Sequence, residues 1–233
     1  MTKDLRGGVG DSMSCFTISR EFGAGGTYIA AKLAEKLNYT RYDAELLNSV
    51  ALKMGKEPQD LESMEPTQYN RLGAFFKEAF ASLAAGSLML NTYGLGILDF
   101  SAVEYELYPD IKEQPDYYTA LKQVVCEVAK KDRAIIMGRG GFKILKDFPG
   151  IVHCRVIANI EDRIAQIVSD GRATPEEAER AILKRDKAVE HFVEDYFDED
   201  WAAPHNYSIV LNTSKISKDE CVEILLSMLN KNN

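Results

Sequence analysis

Apolar positions along the chain switch between two periods. Cys15-Phe-Thr-Ile-Ser19 is a short run of apolar and β-favouring residues, and a glycine-rich segment follows it. Ile29, Ala30, Leu33, Ala34 and Leu37 then recur at helical spacing. This reads as strand, tight turn, helix. Tyr39 to Asp43 reads as a second short strand, with a helix around Leu46 to Met54 after it. From about residue 55 to 115 the pattern is mainly helical. Leu72, Phe75, Phe76, Ala79, Phe80 and Leu83 are apolar there, and Gly94 and Gly96 break the run. Asp116 to Lys131 is an amphipathic helix, and Ala134 to Met137 has the continuous apolar character of a buried parallel strand. Ile151 to Ile157 is another strand, in which His153 reads as a core or face residue.

Helix starts are marked as well. Asn159 can cap the helix after that strand, with Asp162 at its third position. Thr174-Pro-Glu-Glu177 is a capping box with proline at the first helical position, and Ser217 with Glu220 is a second box. A last strand is expected from Tyr207 to Leu211, then a C-terminal amphipathic helix. Strand and helix alternate at least five times. The expected fold is α/β: a doubly wound, mostly parallel five-stranded sheet with a helical insertion and a helical lid. Residues 1–13 read as a flexible tail. Residues 14–233 read as one domain, with the insertion at about 55–115 and the lid at about 169–203.

Composition narrows the function. The formal net charge of −8 argues against broad binding to nucleic acid or an anionic membrane, so an anionic ligand needs a local group of cations. No apolar run is long enough to span a bilayer and no leader pattern opens the chain, which suggests a cytoplasmic protein. Cys15, Cys126, Cys154 and Cys221 lack metal-ligand spacing and sit in apolar patterns, as buried reduced thiols do.

Five places carry candidate chemistry. Gly23, Ala24, Gly25, Gly26 and Thr27 join the first strand to its helix, where inward N–H groups and the helix dipole suit a phosphate. Against the pattern G-x-x-x-x-G-K-[ST], Gly25 and Thr27 match, whereas Arg20 replaces the first glycine and Gly26 the lysine. A plain glycine turn remains the alternative. Gly138-Arg-Gly-Gly141 ends another strand and offers Arg139 to an anion. Arg163 stands in the first turn of a helix, where a cation opposes the dipole. Lys184, Arg185 and Lys187 flank Asp186 on a long helix, as a solvated face or a cationic lid. Asp43 is either a helix cap or a ligand group at a strand's carboxyl end.

Several of these stretches together resemble the cytidylate kinase-like family, P-loop relatives of nucleoside monophosphate kinases with a lysine-free loop. The carriers are Ile18-Ser-Arg-Glu-Phe-Gly-Ala-Gly-Gly26, Tyr42-Asp43, Met137-Gly-Arg-Gly-Gly141, Ala158-Asn-Ile-Glu-Asp-Arg163, Arg185-Asp-Lys187, Trp201 and Tyr207-Ser-Ile-Val-Leu-Asn212. The resemblance spans nearly everything from Ser14 to Leu229. It implies ATP, Mg²⁺ and a nucleotide acceptor, with CMP and dCMP first and no nucleic-acid polymer or membrane as partner. Gly23 to Thr27 would hold the donor phosphates, with Thr27 on the metal and Arg163 near the donor nucleotide. Arg139, Asp43 and Asp186 would serve the acceptor, and Arg185 belongs to the lid motif. Arg20 or a lid arginine would replace the missing lysine, so Arg20, Arg139 and Arg185 are the catalytic candidates. The chain departs from the family at Val189, where an arginine is usual. Another small acceptor, or nucleotide binding without turnover, are the competing readings. The Phe75, Phe76 and Phe80 stripe is compatible with a homodimer.

Overall fold

A computed structural model describes residues 15–43, 115–131, 133–171 and 173–229. The expected tail, the helix at 46–54, Arg172 and nearly all of the insertion, with the stripe behind the homodimer, lie outside the described residues. The described elements are β1 (Cys15–Arg20), α1 (Gly26–Leu37), β2 (Thr40–Tyr42), α2 (Pro115–Lys130), β3 (Ala134–Met137), α3 (Gly141–Ile144), β4 (Ile151–Ile157), α4 (Ile160–Ser169), α5 (Pro175–Phe197), β5 (Ile209–Asn212) and α6 (Lys218–Leu229). The strands form one sheet in the order β2-β3-β1-β4-β5, and every pairing is parallel.

Central position explains the continuous apolar runs. β1 lies between β3 and β4, so both of its edges are paired, and helices pack on both of its faces. One face carries Phe16, Ile18, Ile135, Met137, Val152, Cys154 and Val156, packed against Ile29 and Leu33 of α1 and Val222 and Leu225 of α6. Burial raises the thiol pKa of Cys154, which leaves it a small apolar group. On the other face Cys15, Ala134 and Ile136 meet Leu121, Val124, Val125 and Val128 of α2.

Toward β4 this second face turns polar. Thr17, Ser19 and Arg155 are buried on it, and His153 is half-buried. Thr17 Oγ1 lies 2.7 Å from His153 Nδ1. Arg155 is only 5% exposed. Its guanidinium stacks 4.2 Å from the Trp201 ring centre, donates to the Trp201 carbonyl and reaches Glu21 Oε1 at 3.3 Å.

Both expected capping boxes form. Thr174 Oγ1 accepts from Glu177 N–H while Thr174 N–H donates to Glu177 Oε2, and Ser217 with Glu220 repeats the exchange. Asn159 does stand at the N-cap of α4, but its side chain makes no capping bond; its N–H instead donates to Ser214 Oγ at 2.8 Å.

The long helix α5 is docked on the loop after β1 by charge. Asp186 Oδ1 accepts from Phe22 N–H at 2.8 Å, and its Oδ2 lies 2.5 Å from Arg163 Nη1. That arginine is 8% exposed and also donates to the Phe22 carbonyl at 3.3 Å. Arg185 stacks 4.0 Å over the Phe22 ring. Removing one partner of a buried pair strands the other charge, which costs about 3 kcal/mol. Asp186→Ala is therefore expected to lower the unfolding free energy in urea by about that much, and Asp186→Asn by less, because an amide oxygen still accepts from Phe22 N–H. A loss below about 1 kcal/mol for Asp186→Ala would refute the clamp.

Burial pushes the imidazole pKa of His153 below its ordinary value of 6.5. The folded protein therefore binds the His153 proton less readily than the unfolded chain, and stability present above about pH 6.5 is lost as pH falls below it. His153→Gln should remove that part of the decline in the urea midpoint between about pH 7 and 5. An unchanged slope counts against it.

Candidate functional site

All five strands point their carboxyl ends at one edge of the sheet, where open α/β sheets bind ligands. Two glycine-rich loops meet there on neighbouring strands, after β1 and after β3.

The first loop runs from Glu21 to Gly25. Gly25 caps α1 with φ 82°, a left-handed conformation that a side chain resists. No side chain caps α1, and its first turn has no acidic residue, so the unpaired N–H groups and dipole of the helix end face outward. Thr27 is exposed on that turn. Thr213 Oγ1, 2.9 Å from the Ala24 carbonyl, ties the loop to the end of β5. Glu21 anchors its beginning: Oε2 accepts from Ala158 N–H at 3.1 Å and lies 3.8 Å from Arg163 Nη1.

The reason for glycine at position 26 is steric. A β-carbon there would stand 2.6 Å from Arg20 Cβ and 3.0 Å from Arg20 Cγ. The stem of Arg20 fills the space that a side chain on residue 26 would need. The two departures from the lysine-bearing pattern, at residues 20 and 26, are thus in contact, with a cation on the last residue of the strand beside the glycine that opens the helix. Its guanidinium runs toward the second loop, where Nη1 comes within 3.0 Å of a β-carbon built on Gly138.

That second loop is held by Gly138 N–H donating to the Ile18 carbonyl at 3.1 Å. Arg139 itself has φ 51°, a strained conformation for a side-chain-bearing residue. Its guanidinium lies 5.5 Å from the Phe192 ring centre. Phe192, Tyr196 and Phe197 of α5 with Tyr118 of α2 make an aromatic wall beside it, and the Phe197 ring takes the space a β-carbon on Gly140 would need.

Arg20, residues 23–27, Arg139, Arg163, Arg185 and Asp186 therefore gather around two adjacent strand ends. Asp43 follows β2 at the outer edge of the same sheet end, and Arg41 Nη2 pairs with it at 2.9 Å. Val189, where the family's arginine was expected, packs against the cluster of Phe142, Val193, Trp201 and Tyr207. Glu21, Arg155 and Lys218 were not foreseen. A charged residue inside the apolar run Ile151–Ile157 was the available signal for Arg155.

Among the described residues, no group of three or more His, Cys, Asp or Glu could hold a metal ion. No described helix is long and apolar enough to cross a membrane.

No protein of curated function matches the chain significantly. Among solved structures, an uncharacterized protein from Eubacterium ventriosum ATCC 27560 superposes with a TM-score of 0.63 at 18% identity, over 94% of this chain and 99% of that one. A shikimate kinase from Acinetobacter baumannii in complex with shikimate gives 0.44 at 12%, over 96% of each chain. A deoxyadenosine kinase from M. mycoides with bound dATP gives 0.44 at 12%, over 93% and 100%. Such likenesses concern the backbone. The sequence itself goes further: the model of the cytidylate kinase-like family matches residues 15–215, a span that takes in both glycine loops, the buried clamp and the lysine-free turn, and the chain belongs to that family.

Proposed function

We propose that this protein transfers a phosphoryl group from ATP to a nucleoside monophosphate, with CMP and dCMP as the first acceptors. A kinase-like family makes phosphoryl transfer to a nucleotide or small molecule the reaction class. The observation that carries the reading is the course of Arg20, from the space beside Gly26 to Gly138. It sets a guanidinium between two loops that each suit an anion, where charge would spread in the transition state.

In this reading residues 23–27 hold the donor phosphates on backbone N–H groups, and Arg139 holds the phosphate of the acceptor. Arg163, buried under the first loop, keeps that loop in place beneath the donor, and Asp186 joins it to the lid. Arg185 approaches the donor side from the lid, and Asp43 borders the acceptor. Mg²⁺ fits the residues present: Thr27 offers a hydroxyl at the helix start, and a phosphate-borne Mg²⁺ keeps several waters and needs no carboxylate cage. Bound there, the metal would neutralise charge on the donor phosphates. No general base is required, because a phosphate monoester with a second pKa of about 6 is already largely ionised at neutral pH. The protein's task is alignment and charge compensation.

A second acceptor class has its own support. Val189 is packed in an apolar cluster, so the cation that the family usually brings to the acceptor is absent at this position. An acceptor with a different anionic or hydroxyl group is the alternative.

ADP release from Mg-ATP across a panel of nucleoside monophosphates separates these readings. Release only with CMP or dCMP is expected; silence with every nucleotide but binding of ATP would leave the second acceptor class or a non-catalytic binder. Arg20→Ala should cut turnover by roughly 10³-fold, the scale of an arginine supplied to phosphoryl transfer. Unchanged turnover would exclude Arg20 as the substitute cation.

A further inference from the structure

A second cation reaches the first loop from the far end of the chain. Lys218 is the first residue of α6, where a positive charge opposes the helix dipole. Its stem crosses Gly25: a β-carbon there would stand 2.8, 3.2 and 3.3 Å from its Cδ, Cε and Cγ. Its ammonium donates to Gln166 Oε1 at 2.6 Å, a neutral acceptor, and lies 5.7 Å from the Tyr28 ring centre. The neighbouring carboxylates are engaged elsewhere, Asp219 with Tyr28 Oη at 2.9 Å and Glu220 with Ser217. Lys218 makes no ion pair among the described residues. A half-buried lysine at an unfavourable helix position, laid over Gly25 at the uncapped start of α1, is explained by an anion at that helix start.

We propose that Lys218 is a phosphate-contacting residue of the donor site, and that its ammonium leaves Gln166 for the polyphosphate when the loop is filled. The inference rests on the phosphate-binding reading of residues 23–27. It assigns two cations to the work of the absent lysine. Arg20 passes from Gly26 toward the second loop, and Lys218 covers the first loop at Gly25. A lysine suits this place, because a compact ammonium on a flexible four-carbon stem can turn from the amide to a phosphate oxygen.

The test is calorimetric titration with inorganic tripolyphosphate and with the β,γ-imido analogue of ATP, on wild type, Lys218→Met and Lys218→Arg. Methionine keeps much of the stem over Gly25 without the charge. Loss of one charged hydrogen bond should weaken both ligands about tenfold or more in Lys218→Met, while Lys218→Arg stays within about threefold. Equal binding by wild type and Lys218→Met overturns the inference and leaves the kinase reading standing. Equal losses in Met and Arg variants overturn it too, since packing rather than charge would then be responsible. Binding of neither ligand by wild type overturns both. Should Lys218→Met not fold, the wild type supplies the measurement. Acetylation of Lys218 by acetic anhydride, followed by mass spectrometry, should slow when tripolyphosphate is present, and an unchanged rate overturns the proposal.

Discussion

The stem of Arg20 and a side chain on residue 26 cannot occupy the same space. This exclusion orders the first loop. With glycine at 26, the backbone comes up against the Arg20 stem, and a β-carbon there would be 2.6 Å from Arg20 Cβ. In the proposed reading the cation then enters from the strand instead of the helix. A strand residue at the carboxyl end of the central β1 can look sideways along the sheet edge, toward the loop after β3. A lysine in the first helical turn would serve its own loop. Steric exclusion at one glycine thus places a guanidinium between two loops.

The loop around that contact is braced from three elements. β4 contributes Arg155 and the Val156 carbonyl, α4 contributes Arg163, and α5 contributes Asp186. Glu21 joins the first two arginines, and Asp186 joins Arg163 to the Phe22 amide. These groups are largely buried, so their mutual attraction is screened less by solvent than a surface pair would be. A loop braced in this way can present its N–H groups with little reorganisation when an anion arrives, which is the condition for strong electrostatic stabilisation. Because α5 carries both Asp186 and the aromatic residues beside Arg139, the two loops share one helix as a wall.

Local signals made much of this legible. Continuous apolar runs marked β1, β3 and β4, and the Thr174–Glu177 and Ser217–Glu220 boxes marked helix starts, because each depends on residues close in sequence. The five-stranded parallel sheet followed from the alternation. The partners of the site did not. Phe22 and Asp186 are 164 residues apart, and Arg155 and Glu21 are 134 apart. No periodicity links such pairs. Lys218 lies between Ser217 and Glu220 of the second capping box with nothing local to mark it, and its passage over Gly25 exists only in the folded chain. Asn159 shows the converse: its type and position suit a cap, yet its side chain makes no such bond, and its N–H goes to Ser214.

The central claim is that Arg20 and Gly26 are one exchanged unit, and a swap tests it most directly. Arg20→Gly with Gly26→Lys restores the full lysine-bearing pattern over residues 20–27. Affinity for the β,γ-imido analogue of ATP would be measured for wild type, both single variants and the double variant. The account predicts that Gly26→Lys fails because its side chain meets the Arg20 stem, that Arg20→Gly fails for want of a cation, and that the double variant recovers binding. A double variant that binds no better than the weaker single variant, in a protein that still folds, would contradict it.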